Sequence, residues 1–142
     1  MKNLFILLLT MVSLSVFSQQ KDDLKLVNGD GATIEFVEET IDYGTIEYNA
    51  NGVRHFEFKN TGTEPLIITN CKGSCGCTVP SCPKEPILPG ETGKIKVKYA
   101  TNRVGSFTKS ITITSNAVTP TKVIKIKGKV LAATPAPVPA TK

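Results

Sequence analysis

The sequence has no Trp, one His, two Met and only 6% aromatic residues among its 142. A single imidazole excludes paired-His metal motifs. There is no phosphate-cradling Gly-x-x-x-x-Gly-Lys loop and no Gly-x-Ser-x-Gly nucleophile elbow, so two common enzyme plans are missing as well. Cysteine is absent outside residues 71–82, and no long apolar run follows Phe17. The length allows one domain and excludes a multi-domain enzyme. What is plentiful is Thr, Ile, Val, 11 Gly and 9 Pro, a mixture that favours strands joined by tight turns. With 40% hydrophobic residues, the chain is not disordered throughout.

The N-terminus reads as a targeting segment. Met1-Lys2-Asn3 is a short basic start, Leu4 to Phe17 is apolar, and Ser18-Gln19-Gln20 turns polar. This is the layout of a signal peptide over residues 1–18, cut after Ser18. The apolar run is shorter than the roughly 20 residues a spanning helix needs, so no transmembrane segment is expected after cleavage. Residues 19–31 read as a flexible lead-in, residues 32–130 as the folded domain, and residues 131–142, with three Pro, as a disordered tail.

Charge is uneven along the chain. Residues 19–66 carry ten Asp/Glu against four Lys/Arg, whereas residues 67–142 carry twelve Lys/Arg against two Asp/Glu. The formal net charge of +5 therefore hides a strongly polarised sequence.

Alternation organises the middle. Val53-Arg54-His55-Phe56-Glu57-Phe58-Lys59 puts Phe56 and Phe58 on one face and His55, Glu57 and Lys59 on the other. Lys94 to Tyr99, Ser110 to Thr114 and Val123 to Val130 repeat the period of two, the mark of half-buried antiparallel strands. Weaker strand patterns lie at 32–37, 41–48 and 65–70. Turn signals fall at Asn51-Gly52, Asn60-Thr61-Gly62-Thr63, Pro89-Gly90 and Arg103-Val104-Gly105. The expected fold is all-β: an immunoglobulin-like two-sheet antiparallel sandwich of about seven strands, with a small closed barrel as the alternative.

Any chemistry lies in Cys71, Cys75, Cys77 and Cys82. Four sulfurs allow three pairings, and structural disulfides are the ordinary use of cysteine in an exported chain. A bond between Cys75 and Cys77 would close a small ring, so Cys71–Cys82 is preferred if one bridge forms. Its loop of about twelve residues is worth roughly 3 kcal/mol in the loop-entropy model. Two other readings stay open: a redox-active Cys-Gly-Cys pair, or a soft-metal thiolate site. Against them, no Cys-x-x-Cys opens a helix, and the spacing is not that of paired zinc cysteines. Pro80, Pro83, Pro86 and Pro89 are expected to keep the segment out of the sheets, as a surface loop.

The other candidates are weaker. His55 has an outward strand position and no nucleophile placed to serve it. The ladders Lys94/Lys96/Lys98 and Lys125/Lys127/Lys129 read as solvated faces that discourage edge pairing, rather than as an anionic-polymer surface. Nucleic acid is not expected as a partner, because export removes the target and no aromatics interleave the lysines. No catalytic, cofactor-binding or metal residue is assigned.

Several motifs together resemble a known family. They are Asp42-Tyr43-Gly44-Thr45-Ile46, Phe56-Glu57-Phe58-Lys59-Asn60-Thr61-Gly62, Pro65-Leu66-Ile67-Ile68, Ser74-Cys75-Gly76-Cys77-Thr78-Val79-Pro80, Ile87-Leu88-Pro89-Gly90-Glu91, Gly105-Ser106-Phe107-Thr108-Lys109 and Ser115-Asn116. The chain resembles, over roughly residues 33–130, the secreted bacterial domain-of-unknown-function family 1573, common in Bacteroidetes. The resemblance implies an immunoglobulin-like sandwich similar to Hydin and major-sperm-protein type domains, which act as interaction modules, and no enzyme activity or cofactor. Only Cys75 and Cys77 carry over as motif positions; Cys71 and Cys82 stand where the family has less regular residues, which favours them as an added bridge. The expected function is an exported, non-enzymatic module that binds a protein or cell-envelope component, in the periplasm or outside the cell. The alternative is a thiol-redox or metal-handling protein acting through Cys75 and Cys77.

Overall fold

The computed structural model describes residues 31–134. The expected signal peptide (1–18), the expected lead-in up to residue 30 and the expected tail from residue 135 onward lie outside the described residues. Within them are eight strands: β1 (Ile34–Phe36), β2 (Thr40–Ile46), β3 (Val53–Asn60), β4 (Ile68–Gly73), β5 (Thr78–Ser81), β6 (Thr92–Tyr99), β7 (Gly105–Ser115) and β8 (Thr121–Val130). They form two four-stranded sheets, ordered β1-β3-β6-β5 and β2-β8-β7-β4, which is the strand arrangement of an immunoglobulin-like sandwich.

Period-two alternation builds the core as expected. Phe56, Phe58, Ile95 and Val97 face inward from one sheet, and Ile111, Ile113, Ile124 and Ile126 from the other; all eight are fully buried. Each such side chain contributes about 1.5–3 kcal/mol through removal from water. The intervening His55, Glu57, Lys94, Lys96, Lys125 and Lys127 are exposed, because successive strand side chains point to opposite faces.

Two features depart from the sequence reading. The strand count is eight because β5, in the proline-containing segment expected to be a loop, pairs with β6; the N-terminal run also switches sheets at residues 37–39, leaving β1 on one sheet and β2 on the other. One pair is also parallel: β2 lies beside β8 in the same direction, with Ile41 opposite Ile126 and Ile46 opposite Val130. A bulge between Asp42 and Thr45 interrupts that pair. Gly44 supplies the left-handed φ of 63° it needs, and its N–H donates to Asp42 Oδ1 at 2.8 Å.

The charge asymmetry does not become a one-sided field. The strands interleave the two halves, so Glu57 of β3 meets Lys94 of β6 at 2.7 Å, Glu39 meets Lys122 at 2.6 Å, and Asp42 meets Lys127 at 3.4 Å. Each pair joins the acidic half to the basic half. They are solvent-exposed and worth little individually.

Candidate functional site

The four cysteines lie where the chain passes from one sheet to the other. β4 is the edge of its sheet, β5 is the edge of the opposite sheet, and residues 74–77 make the crossing. This corrects the expected surface loop: Cys71 lies inside β4, opposite Ile113, and Pro80 lies inside β5, opposite Val97. Ala100 donates its N–H to Cys77 O at 2.9 Å. Alternation then directs Val79 and Ser81 toward β6 and turns the Pro80 nitrogen outward, where no donor is needed. The close approach at the start of the crossing explains Gly73: a Cβ there would lie 2.1 Å from Thr78 O.

The sulfurs pair as Cys71–Cys82 and Cys75–Cys77, with Cα separations of 6.3 and 5.3 Å, both within the disulfide range. Cys71–Cys82 ties β4 to the residue following β5, and therefore one sheet to the other. Cys75–Cys77 closes a ring within the crossing itself. All four thiols are used. Among the described residues no group of three or more His, Cys, Asp or Glu is placed to hold a metal, and metal binding by these sulfurs would first require their reduction.

Around the second pair, the sulfur environment is polar on one side. Cys77 N–H donates to Cys75 Sγ at 3.3 Å, and the buried Thr78 hydroxyl stands 3.8 Å from both sulfurs. Backbone bonds hold the segment: Ser74 N–H to Ser110 O at 2.9 Å and Thr78 N–H to Cys75 O at 3.1 Å. Cys75 is half-buried, and Cys77 is buried at 6% exposure.

On the other side of the sandwich is a second candidate. Thr61 N–H donates to Thr33 O, and Val37 N–H to Glu57 O, each at 3.0 Å. Glu35 pairs with Lys59 between them, so Ile34 and Phe36 turn their N–H and C=O groups toward the open edge. Beside this edge is a groove of about 360 Å³ lined by Thr33, Ile34, Ala117, Val118, Thr119 and Lys122. Ile34 and Ala117 are buried, while Val118 is 60% exposed. Val118 N–H donates to Ala32 O at 2.9 Å, which fixes this turn against the start of β1.

Tyr43 anchors the same side. It is buried, donates its hydroxyl proton to Gly52 O at 2.9 Å, and carries the Arg54 guanidinium 4.4 Å from its ring centre. Phe107 meets it edge-on and stacks on Tyr99 with centroids 3.9 Å apart. Burial pushes the Tyr43 and Tyr99 hydroxyls above their ordinary pKa, so both remain protonated donors. The Gly44 N–H, with help from Lys127, holds Asp42 below the usual carboxyl range; Lys94 does the same for Glu57.

Three residues that organise these regions carry no signal in the sequence reading beyond marking turns or motifs. Asn60 is fully buried; its Nδ2 donates to Glu64 O and Ile87 O, and its Oδ1 accepts from Thr33 and Gly62 N–H. Asn116 accepts from Ile67 N–H at 2.7 Å and donates to Pro65 O at 2.9 Å. Thr78 is the third. Their partners lie up to 51 residues away, which local pattern cannot show. His55 and the lysine ladders remain on the outer faces; Lys96 and Lys98 pair with Ser81 and Val79 of β5.

Comparison with known proteins agrees with the architecture. No curated protein matches the sequence. A protein of unknown function from Porphyromonas gingivalis W83 is similar in structure, with TM-score 0.61 and 18% identity over 69% of this chain and 46% of that one. The PapD-like domain 7 of human CEP192 gives 0.60 and 11%, over 73% and 89%. The chaperone–tip adhesion subunit pre-assembly complex of Acinetobacter baumannii Csu pili gives 0.52 and 14%, over 70% and 57%. The chain thus spans about half the length of the bacterial structures. These identities establish the sandwich fold alone. The model of the family described as protein of unknown function (DUF1573) matches residues 34–130, from the first residue of β1 to the last of β8, and the chain belongs to that family.

Proposed function

We propose that the protein is an exported, non-enzymatic immunoglobulin-like module that binds an extended segment of a partner protein along β1. The observation that carries this is the open β1 edge lying beside the groove floored by Ile34 and Ala117. Strand addition needs both parts: free main-chain groups for affinity and a pocket for alternate side chains. The chaperone–subunit pairing of the Acinetobacter structure supports protein binding by this fold. Export is supported by the Leu4–Phe17 segment and by the two disulfides, which persist in oxidising compartments.

Site-specific photo-crosslinking in intact cells tests the reading. A crosslinker at Val37 or Val118 should capture a discrete protein adduct. One at Val104, equally exposed at 59% but in the turn before β7, should not. Adducts at Val104 alone, or none at Val37 and Val118, would refute binding at β1.

A further inference from the structure

The crossing between β4 and β5 carries an inference beyond the binding reading. The Cys75–Cys77 bond encloses one residue, and it constrains little that is not already held. Ser74 is bonded to Ser110, Cys75 O to Thr78 N–H, Cys77 O to Ala100 N–H, and Cys71–Cys82 closes the segment from outside. A bond with so little structural work to do is one that can open and close on a standing frame. It is also reachable: Cys75 is half-buried, and a Cβ on the intervening Gly76 would meet nothing within 4 Å, so the space over the pair is open. Finally, the surroundings suit a sulfur anion. Cys77 N–H points at Cys75 Sγ, and the Thr78 hydroxyl is within reach of both sulfurs; hydrogen bonds to a charged acceptor are the stronger kind.

We propose that Cys75–Cys77 is a thiol–disulfide exchange centre, in which an incoming thiolate attacks the accessible Cys75 and the buried Cys77 is released. The substrate class is a protein or peptide carrying two thiols. Its first thiolate, having lost a proton to water, attacks Cys75 Sγ; the Cys75–Cys77 bond breaks, and Cys77 leaves as a thiolate beside the Thr78 hydroxyl before taking a proton from water. The second substrate thiolate then attacks the substrate sulfur of the mixed disulfide. Cys75 is released as a thiolate, accepting from Cys77 N–H, and is protonated in turn. Two electrons and two protons have passed to the protein, and the substrate leaves as a disulfide. An external disulfide such as oxidised glutathione restores the pair by the reverse steps.

The test equilibrates the purified protein with reduced and oxidised glutathione over a range of ratios, traps thiols by alkylation and locates them by mass spectrometry. Cys75 and Cys77 should be alkylated together at ratios where Cys71 and Cys82 remain bonded. In Cys77→Ser, Cys75 should retain glutathione as a mixed disulfide while the domain stays folded and melts above Cys71→Ser. In Cys75→Ser, Cys77 should take up glutathione at least about tenfold more slowly because it is buried. Thr78→Val should slow opening of the pair by about tenfold, as loss of a hydrogen bond to a charged group does. Reduction of all four cysteines in one step, equal trapping at Cys75 and Cys77, or unfolding of Cys77→Ser would overturn the proposal and make the bond structural.

Discussion

Where β1 hands over to β2, three residues carry the chain between the sheets, and aromatic packing secures the seam; where β4 hands over to β5, four residues make the same passage, and sulfur secures it. The first side relies on Tyr43, buried against Phe107 and bonded to Gly52 O. The second buries Cys77 and Thr78 at the crossing, but β4 contributes no fully buried side chain: Ile68 and Cys71 are only partly buried, as are Cys75 and Cys82. Covalent closure is what a thinly packed edge can use, since a disulfide acts mainly on the unfolded chain and needs no large buried area. The comparison has a functional consequence. The packed side keeps its outward main-chain groups at Ile34 and Phe36, next to a groove that mixes Ile34, Ala117 and Val118 with Thr33, Thr119 and Lys122. The bonded side turns a proline nitrogen outward at Pro80 and presents a disulfide.

The largest effect should come from the packed side. Tyr43→Ala removes a buried aromatic and a satisfied hydrogen bond, and should lower stability to urea by about 3–5 kcal/mol. A loss under about 1 kcal/mol would mean that this seam is held by β2–β8 pairing instead. Tyr43→Phe isolates the hydroxyl and should cost about 1 kcal/mol.

Next in size is the bonded side. Cys71→Ser or Cys82→Ser opens a loop of about twelve residues and should cost about 2–3 kcal/mol, with the core around Phe56 and Phe58 still folded. Cys75→Ser should cost less, about 1.5 kcal/mol or below, because a ring of about three residues restricts the unfolded chain less. Equal losses at Cys71 and Cys75 in the same denaturation series would remove the distinction between the two bridges.

The smallest effect concerns the bulge that turns β2 onto its sheet. Asp42 has a lowered pKa from the Gly44 N–H and Lys127. A lowered carboxyl pKa gives stability that is present above the unfolded value and is lost as pH falls through the folded one. Melting curves of the parent and Asp42→Asn should therefore differ slightly near neutrality and converge in acid. A difference that grows on acidification would have the wrong sign.

Much of this fold was legible from residue order. Phe56/Phe58, Ile95/Val97, Ile111/Ile113 and Ile124/Ile126 declare their inward face because a strand buried on one side must alternate. The edges were harder to read. β5 is four residues containing a proline, and its sequence resembles a loop because an edge strand needs its N–H groups on one side only. The sheet switch at residues 37–39 and the parallel β2–β8 pair depend on a partner some 85 residues further along the chain, beyond any local period. Of the candidate site, ring size favoured Cys71–Cys82 if one bridge formed and disfavoured Cys75–Cys77, whereas the structure pairs both. The roles of Asn60, Asn116 and Thr78 were not legible, since each is defined by backbone or sulfur atoms that only the folded chain brings near.

Disulfide mapping of the untreated protein tests the division of labour most directly. Trypsin cuts after Lys72 and Lys84, separating Cys71 from the peptide that holds Cys75, Cys77 and Cys82. The account predicts one cross-link between these peptides, from Cys71 to Cys82, with Cys75 and Cys77 joined to each other and the whole lighter than the reduced protein by the mass of four hydrogens. A link from Cys71 to Cys75 or Cys77, or free thiols at Cys71 and Cys82, would contradict it.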